Sequence, residues 1–310
     1  MTVAAAPIPS TQAASAERFA IQLMIAQSVL FAAETAAIHQ IGGRVSFMLL
    51  AFFRAAGGLA LVLVLARNVG FAILRTHQLG LQLLRGGSTT LYLWVLVYSF
   101  THMPFADATA ISYTQAAYIA AFSVLILGEA VSGLRWGGAA AGIVGALLIA
   151  KPAFADWNIV YLVALLGTSL NGLSFVLTKY MQREDSELTT MFYTNLVPVV
   201  ANLPALAMIE LPAPEVLVWL PAVFLLGPIG MYAGIVALKH ANASLLGPYT
   251  LLRLVISLVG AVIVFHELPD LLSALGATLI LVGCLLSSRT TPIRKFPEVK
   301  LRAALARFPS

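Results

Sequence analysis

Residues 127–148, LGEAVSGLRWGGAAAGIVGALL, and residues 265–286, FHELPDLLSALGATLILVGCLL, end two long apolar regions of this chain in the same way. Matching leucines and valines carry little information in so apolar a sequence. A glutamate that is followed nine and sixteen residues later by glycine is more informative, and both segments contain this pattern. A shift of 138 positions superimposes the two patterns, pairing Glu129 with Glu267, Gly138 with Gly276 and Gly145 with Gly283. The chain therefore contains an internal repeat.

The composition places this repeat in a lipid bilayer. Of the 310 residues, 60% are hydrophobic and 10% are charged, whereas soluble domains carry about 25% charged residues. A transmembrane helix needs about 20 residues, so ten helices would use about 200 residues and leave only short connectors and tails. This arithmetic excludes a large extramembrane domain.

The apolar runs predict ten transmembrane helices, because each backbone polar group in lipid must be satisfied within its own segment. The segments at the two ends of the chain are expected to be cytoplasmic, with 1–18 as a disordered N-terminus and 289–310 as a basic tail. The predicted spans are residues 19–40, 46–66, 78–100, 107–127, 134–150, 158–179, 188–209, 216–238, 244–265 and 271–288.

The repeat divides these spans into two halves of five, residues 19–152 and 153–288. A shift of about 140 also places RVSFMLLAFFR (44–54) against REDSELTTMFYT (183–194). Because five is odd, the second half enters the membrane in the opposite sense to the first. Inverted repeats are typical of secondary transporters, with the site near the midplane between the halves. We therefore expect an all-α integral membrane protein, with ten transmembrane helices as two inverted five-helix repeats around a central cavity.

Basic residues predict the orientation of the spans. With the N-terminus inside, 14 of the 18 lysines and arginines fall at inner loops, inner span ends and tails. Arg44 and Lys151 are outside, and Arg54 and Arg253 lie within spans. The positive-inside rule then predicts cytoplasmic termini. This asymmetry also explains most of the net charge of +5, so no nucleic-acid partner is expected.

The sequence resembles the EamA family of the drug/metabolite transporter superfamily over about residues 19–288. The resemblance rests on the ten-span layout, on FFR at 52–54, on HMPFADATAISYTQAAYIAAFSVLILGEAVSG at 102–133 and on the duplicated LGE and HEL endings. The second half departs from it, since Thr194 stands at the place of Arg54 and Leu268-Pro269 replaces the usual turn.

The resemblance implies a basket of helices whose cavity is lined by spans one, three, four, six, eight and nine. It is closest in character to bacterial amino-acid and metabolite exporters of the inner membrane. The expected activity is therefore export of small metabolites, most of all amino acids, including aromatic and other apolar ones, by alternating access. Neither a cofactor nor a metal is expected, and the protein is expected to be a monomer or weak dimer.

Two related polar stripes suggest the substrate site. Arg253 in span nine aligns with Gln115 in span four, and their helical neighbours also correspond. Arg253 could bind a substrate carboxylate bidentately; alternatively, Glu34 or a backbone carbonyl neutralises it and it stabilises one conformation. The stripes pair Ser112, Gln115 and Ile119 with Thr250, Arg253 and Ser257.

Glu34 and Arg54 are the other ionisable residues placed well inside spans, where a charge costs at least about 2.5–3.5 kcal/mol. Glu34 could receive a substrate ammonium or carry a coupling proton, or it could form a structural ion pair with Arg54 or Arg253. For Arg54 the structural interpretation is favoured, because span two is expected to be peripheral. An exporter of cationic drugs or quaternary ammonium compounds, with or without proton coupling, is the alternative function and would use Glu34.

Aromatic residues could wall a pocket for an apolar or aromatic side chain or for a cation. Trp94 and Tyr98 share a stripe of span three, and Tyr232 follows the expected Pro228 break in span eight. Tyr92 and Tyr113 are further candidates; simple packing is the alternative for all of them. Asn171 is a candidate hydrogen-bonding wall residue or a link between helices.

Other features suggest structural roles. Pro104, Gly247 and Pro248 are expected hinges if spans three–four and eight–nine rock as pairs. The glycines of spans five and ten are spaced for close packing, and Glu129 and Glu267 are expected to be N-terminal caps or dipole partners of the helices that follow them.

The sequence lacks a complete zinc-protease motif and a nucleotide-binding P-loop motif. Position 270 is aspartate where the zinc motif HExxH requires histidine, and GxxxxGK[ST] does not occur. The chain is therefore not expected to be an enzyme or an ATP-driven pump.

Overall fold

The computed structural model describes residues 11–41, 44–68, 70–103, 105–129, 131–152, 158–208, 214–265 and 270–288. This part of the chain is helical and contains no strand. The α-helices are α1 (Thr11–Ile41), α2 (Phe47–Leu65), α3 (Leu79–His102), α4 (Phe105–Tyr113), α5 (Gln115–Leu127), α6 (Gly133–Ala150), α7 (Ile159–Met181), α8 (Glu187–Asn202), α9 (Pro214–Leu217), α10 (Leu220–His240), α11 (Ala243–Leu246), α12 (Leu252–Phe265) and α13 (Leu271–Ser288). Short 3₁₀ turns cover Ala66–Asn68, Gly70–Leu74, Leu203–Met208 and Gly247–Leu251.

Polar side chains begin several of these helices, as their sequences predict. The Ser46 hydroxyl accepts a hydrogen bond from the Leu49 N–H at the start of α2, and Ser186 does the same for Thr189 at the start of α8. Such caps satisfy N–H groups that the helix itself leaves free. Gly128 ends α5 in the left-handed conformation, with φ of 62°, which glycine adopts without steric cost.

Two predicted spans are broken helices. Span four consists of α4 and α5 with a turn at Thr114, and span nine consists of α11, the 3₁₀ turn Gly247–Leu251 and α12. Pro228, in contrast, does not interrupt its helix, because α10 runs continuously through it. The expected break at Pro228 is therefore wrong. A proline is tolerated there since it removes one hydrogen bond without ending the helix.

Eight stretches of the described residues are long and apolar enough to cross a membrane. The helices of predicted spans three and seven are not among them. α3 has 24 residues but begins with a polar segment that includes Gln82, Arg85 and Thr89, and α8 has 16 residues. The chain is thus a multi-pass membrane protein, and the count of ten spans stays a prediction. α1 begins at Thr11, so its helix includes residues 11–18, which the sequence analysis assigned to a disordered lead-in.

The helices pack side by side in a bundle. α6 lies against α13 through glycines, where a Cβ on Gly138 would lie 2.6 Å from the carbonyl oxygen of Gly283 and a Cβ on Gly276 would lie 2.5 Å from that of Gly145. The expected close packing is confirmed for Gly138, Gly142, Gly145, Gly276 and Gly283, whereas a Cβ on Gly133 or Gly137 would have no neighbour within 4 Å. α1 packs on α10 and α12, α3 on α7 and α8, α2 on α8 and α10, and α5 on α7.

One end of the bundle, which we call the N-terminal face, contains the start of α1 and the end of α10. The rings of Phe19 and His240 meet there at 5.3 Å between centroids. Across this face one apolar core joins both halves of the chain, including Met24, Leu127 and Leu246. Towards the opposite face the described clusters are separate. One joins α1, α2 and α10, and the other joins α3, α4 and α7.

Candidate functional site

The polar centre of the bundle is formed around Arg253, near the start of α12. Arg253 is half-buried, and its guanidinium lies beside the side chain of Tyr113, the last residue of α4, close enough to interact with it electrostatically. The Tyr92 hydroxyl on α3 is close enough to Arg253 to interact electrostatically with it. The breaks in spans four and nine bring these groups together, because Tyr113 and Arg253 each lie at the point where a helix changes direction.

An amide pair extends this centre towards α7. Asn171 donates a hydrogen bond to the side-chain oxygen of Gln115 at 2.9 Å, and its side chain also lies beside that of Tyr92. Glu34 on α1 lies on the other side and attracts the Arg253 guanidinium electrostatically. We call this group the central cluster; its six members, contributed by six helices, are Glu34, Tyr92, Tyr113, Gln115, Asn171 and Arg253.

Glu34 is paired with Arg54. The Arg54 Nε donates to the Glu34 Oε1 at 2.6 Å, and the two side chains are 24% and 7% exposed. The Arg54 guanidinium also lies over the Phe31 ring, 5.6 Å from its centroid. Gly227 of α10 makes room for this pair, because a Cβ there would lie 2.7 Å from the Arg54 Nε. Of the roles considered for Glu34, the structure thus contains the ion pair with Arg54.

The other predicted aromatic residues lie elsewhere. Trp94 is 38% exposed and its ring N–H donates to Asn202 of α8 at 3.3 Å. Tyr98 is 44% exposed and stacks on His102 at 4.0 Å between centroids. Both face away from Tyr92 because two and six residues along a helix correspond to rotations of about 200° and 240°. Tyr232 packs with the cluster that includes Met191 and Ile235 on α8 and α10.

The predicted hinge residues of the second half fall on an irregular segment. Gly247 and Pro248 open the 3₁₀ turn of span nine. A Cβ on Gly247 would lie 3.1 Å from the Ile119 side chain, so the turn packs tightly on α5. Pro104 and Glu267 lie outside the described residues.

Glu129 caps a helix, although not the helix that follows it. Its carboxylate accepts hydrogen bonds from the main-chain N–H groups of Ala243 and Ser244, both at 3.0 Å, at the start of α11. The following helix, α6, is capped by Ser132 instead, whose hydroxyl accepts from the Arg135 N–H at 3.3 Å. The expectation that Glu129 caps α6 is therefore wrong. Spacing along the sequence could not reveal a partner that lies more than one hundred residues away.

A polar seam between α3 and α7 was not predicted. The Arg85 Nε donates to the Thr178 hydroxyl at 2.5 Å, and the hydroxyls of Thr89 and Ser174 are hydrogen-bonded at 2.7 Å. Positions 85, 89 and 92 share one face of α3. This helical spacing of polar residues is the sequence feature from which the seam could have been predicted. The charge pattern alone places Arg85 among the basic residues of the inner side and predicts no further role for it.

The comparisons with known proteins agree with this architecture. The sequence model of the EamA-like transporter family matches residues 18–151 and again residues 158–289. The chain is 25% identical to the pseudopaline exporter CntI of Pseudomonas aeruginosa, with 87% of this chain and 96% of that protein aligned. It is 28% identical to a riboflavin transporter of Brucella anthropi, with 83% and 94% aligned. It is 29% identical to an S-adenosylmethionine uptake transporter of Rickettsia prowazekii, with 79% and 84% aligned.

A solved crystal structure shares the fold, with a TM-score of 0.75 at 18% identity over 86% of this chain and 96% of the other. The two family matches together cover most of the 310 residues. The family and the named relatives are transporters rather than enzymes, and the chain belongs to the EamA-like transporter family.

Proposed function

We propose that this protein is a secondary transporter that moves small amphiphilic metabolites, amino acids first among them, outward across the bacterial inner membrane by alternating access. One observation carries the proposal. The half-buried Arg253 of the second half meets Tyr92, Tyr113 and the Asn171–Gln115 amide pair at the meeting point of the two halves. A charge retained inside a membrane protein is a functional-site hypothesis by default.

The chemistry of the central cluster suits an amino acid. A guanidinium binds a carboxylate through two parallel hydrogen bonds. On binding substrate, Arg253 would give up its contact with Tyr113 and form these two bonds with the substrate carboxylate. Gln115 and Asn171 offer amide oxygens and N–H groups to a substrate's polar atoms. Glu34 would bind the ammonium in competition with Arg54. For Trp94, Tyr98 and Tyr232, contact with the substrate side chain requires a conformation in which α3 and α10 have moved.

Three observations support the inverted repeat. The family model matches each half separately. In α6 and α13, Gly138 meets Gly283 while Gly145 meets Gly276, and the 138-residue shift exchanges these two contacts. The same shift superimposes the turn at Thr114 on Leu252, where the 3₁₀ segment of span nine ends.

The apolar cores support alternating access. One core joins both halves at the N-terminal face, which the basic residues predict to be cytoplasmic. Towards the opposite face the described residues form two smaller cores, which are separate from each other although each also contains residues of both halves. We infer that this conformation is closed to the cytoplasm. The 3₁₀ turn at Gly247 and Pro248 is the proposed hinge for opening it.

The alternative function, export of cationic drugs, requires a free carboxylate at Glu34. The 2.6 Å ion pair with Arg54 already uses this charge and would have to open for a cationic drug and for a substrate ammonium alike. Arg253 favours the amino-acid hypothesis, because a guanidinium pairs with a carboxylate and repels a cation. The relatives do not decide the matter, since their names include both an exporter and uptake transporters with different substrates.

Uptake into liposomes containing the purified protein tests the proposal. Labelled amino acids, a quaternary ammonium compound and a sugar phosphate would be supplied with and without a pH gradient. We expect amino-acid transport that Arg253→Ala abolishes and Arg253→Lys partly retains. Arg75→Ala, at an exposed arginine outside the site, is the matched control. Absence of amino-acid uptake, or normal uptake by Arg253→Ala, would show that the proposal is wrong.

A further inference from the structure

Arg85 is a buried arginine without an acidic partner in the described part of the chain. Its side chain lies on α3 with 6% of the residue exposed. The Nε donates to the Thr178 hydroxyl, whereas the Nη1 is buried and has no acceptor. The charge of Arg85 is therefore only partly satisfied in this conformation.

Other arginines within the helices have acidic groups close by. Arg54 is bonded to Glu34. Arg135 donates to the Ser244 hydroxyl, which in turn donates to the Glu129 carboxylate. An unpaired buried charge is destabilising, and an apolar side chain of similar volume would be neutral or stabilising. Arg85 thus needs an anionic partner in another state of the protein.

The polar seam connects Arg85 to the central cluster. Along α3, Arg85, Thr89 and Tyr92 face Thr178, Ser174 and Asn171 of α7 in turn. Seven residues of helix separate Arg85 from Tyr92, a rise of about 10 Å. Arg85 therefore lies two helical turns from the central cluster, in the direction of the N-terminal face.

The corresponding interface between α1 and α10 is different in character. Glycines of α10 pack there against α1: a Cβ on Gly230 would lie 2.9 Å from the Phe31 ring, and one on Gly234 would lie 2.5 Å from the Gln27 amide. The α3–α7 interface has such a contact at Gly167, where a Cβ would lie 2.5 Å from the Val95 side chain, but polar groups line its part between Arg85 and Tyr92. If α3 and α7 separate, the polar side chains of this interface could form hydrogen bonds with an anionic molecule between the two helices.

A cavity of about 660 Å³ lies at the N-terminal end of the seam. Its wall includes Leu81 of α3 and Tyr180 of α7. Leu81 precedes Arg85 by one turn on the same helix face, and Tyr180 follows Thr178 by two positions. Gln82, on the same turn as Leu81, is held by Asp185 at 2.7 Å. A molecule entering this cavity thus approaches the Arg85 side of the seam.

We propose that Arg85 is a second anion-binding residue of the transport route, and this rests on the proposed function. When α3 separates from α7 at the N-terminal face, the guanidinium exchanges the Thr178 hydroxyl for an oxyanion, a carboxylate or phosphate, of the transported molecule. Arg253 holds the same kind of group at the centre. A lipid headgroup offers the same phosphate chemistry, so the experiment has to distinguish these two sources.

Binding in nanodiscs tests Arg85 without a transport assay. The full chain in phosphatidylcholine nanodiscs would be titrated with succinate and inorganic phosphate at constant ionic strength, with the thermal unfolding midpoint as readout. The Arg253→Met variant lacks the proposed central arginine. In this variant we still expect succinate or phosphate to raise the thermal unfolding midpoint. Adding Arg85→Met should weaken that binding at least about tenfold, because a charged partner is removed. Arg85→Lys should retain part of it, and Arg75→Met should change nothing.

The outcomes separate the two proposals and the two anion sources. If neither anion shifts the midpoint, or if Arg85→Met leaves the response unchanged, the role of Arg85 is wrong. If phosphatidylglycerol nanodiscs alone stabilise the protein and Arg85→Met removes that effect, the anion is a lipid headgroup and the role in transport is wrong. If Arg253→Ala transports normally while the Arg85-dependent binding is present, the central-site proposal fails and the Arg85 site stands.

Discussion

Glu129 and Ser244 are bonded twice across the two halves of the chain. The Glu129 carboxylate accepts from the Ser244 main-chain N–H at 3.0 Å and from its hydroxyl at 2.6 Å. A carboxylate at the end of α5 therefore caps α11, the first segment of the broken span nine. Because Glu129 is 8% exposed, loss of these bonds would leave buried donors unsatisfied, and the closed N-terminal face should depend on them.

Glu129→Ala should open this face. Unsatisfied buried N–H groups cost about 1–3 kcal/mol, which corresponds to a factor of at least about five in the population of the opened state. Cys284, the single cysteine of the chain, is a natural reporter, since it is buried and its thiol contacts the carbonyl of Pro248 at 3.6 Å. We expect a maleimide to label Cys284 at least about fivefold faster in Glu129→Ala than in the native protein. The labelling rate of Glu129→Gln should lie between these two rates.

The control for this labelling is a change at the opposite face. Asp270→Asn removes an exposed ion pair with Lys151 at the far end of α13 and should leave the labelling rate as it is in the native protein. Circular dichroism at the labelling temperature establishes that each variant is folded. Equal rates for the native protein and Glu129→Ala would show that Glu129 does not hold the face closed.

The Glu34–Arg54 pair should behave as a coupled unit. Glu34→Gln and Arg54→Gln should each destabilise the protein by about 1–3 kcal/mol, because each leaves a largely buried partner unpaired. The double variant should recover part of this loss, with a coupling above about 0.5 kcal/mol. Thermal unfolding of the four proteins measures the cycle. Strictly additive losses would mean that the 2.6 Å contact contributes nothing specific, and Glu34 would again be a candidate for a free proton carrier.

The sequence predicted the helical membrane architecture because hydrophobic length and the repeat are properties of the chain itself. Span ten was predicted at the observed bounds, Leu271–Ser288. The breaks at Thr114 and within Gly247–Leu251 were not predicted as interruptions, because an apolar run shows only that a segment can lie in lipid. Whether the backbone stays helical there depends on neighbours such as Ile119, which packs on Gly247.

The site was predicted in part. Repeat alignment singled out Gln115 and Arg253, and both lie in the central cluster beside polar side chains. Trp94 was selected by its depth in span three, which does not specify which side of α3 it occupies. The partner of Arg54 was one of the alternatives considered. The seam at Arg85 was missed because counting charges for topology treats a basic residue near a span end as interfacial.

The end of the α6–α13 pair that lies opposite the N-terminal face should respond to acid. The hydrogen bond from Lys151, at 2.5 Å, and a second from Ser273 lower the pKa of Asp270 from 3.8 to about 2. A lowered carboxyl pKa gives stability that is fully present above the unfolded value and is lost as the pH falls towards the folded one. The unfolding midpoint of the native protein minus that of Asp270→Asn should be constant above about pH 5 and shrink towards pH 2. The difference should be small and salt-sensitive, since both groups are exposed.

A pair of glycines in α6 offers the sharpest test of the packing between the halves. A methyl group at Gly145 would collide with the carbonyl oxygen of Gly276 on α13, whereas nothing lies within 4 Å of a Cβ at Gly137. Gly145→Ala should therefore destabilise the protein by about 1–3 kcal/mol, because the helices must move apart. Gly137→Ala should be neutral or stabilising by up to about 1 kcal/mol, since alanine is the better helix former. Both changes add the same atoms to the same helix, so thermal unfolding of the two variants isolates the contact. Equal midpoints would mean that α6 and α13 do not approach each other through these glycines.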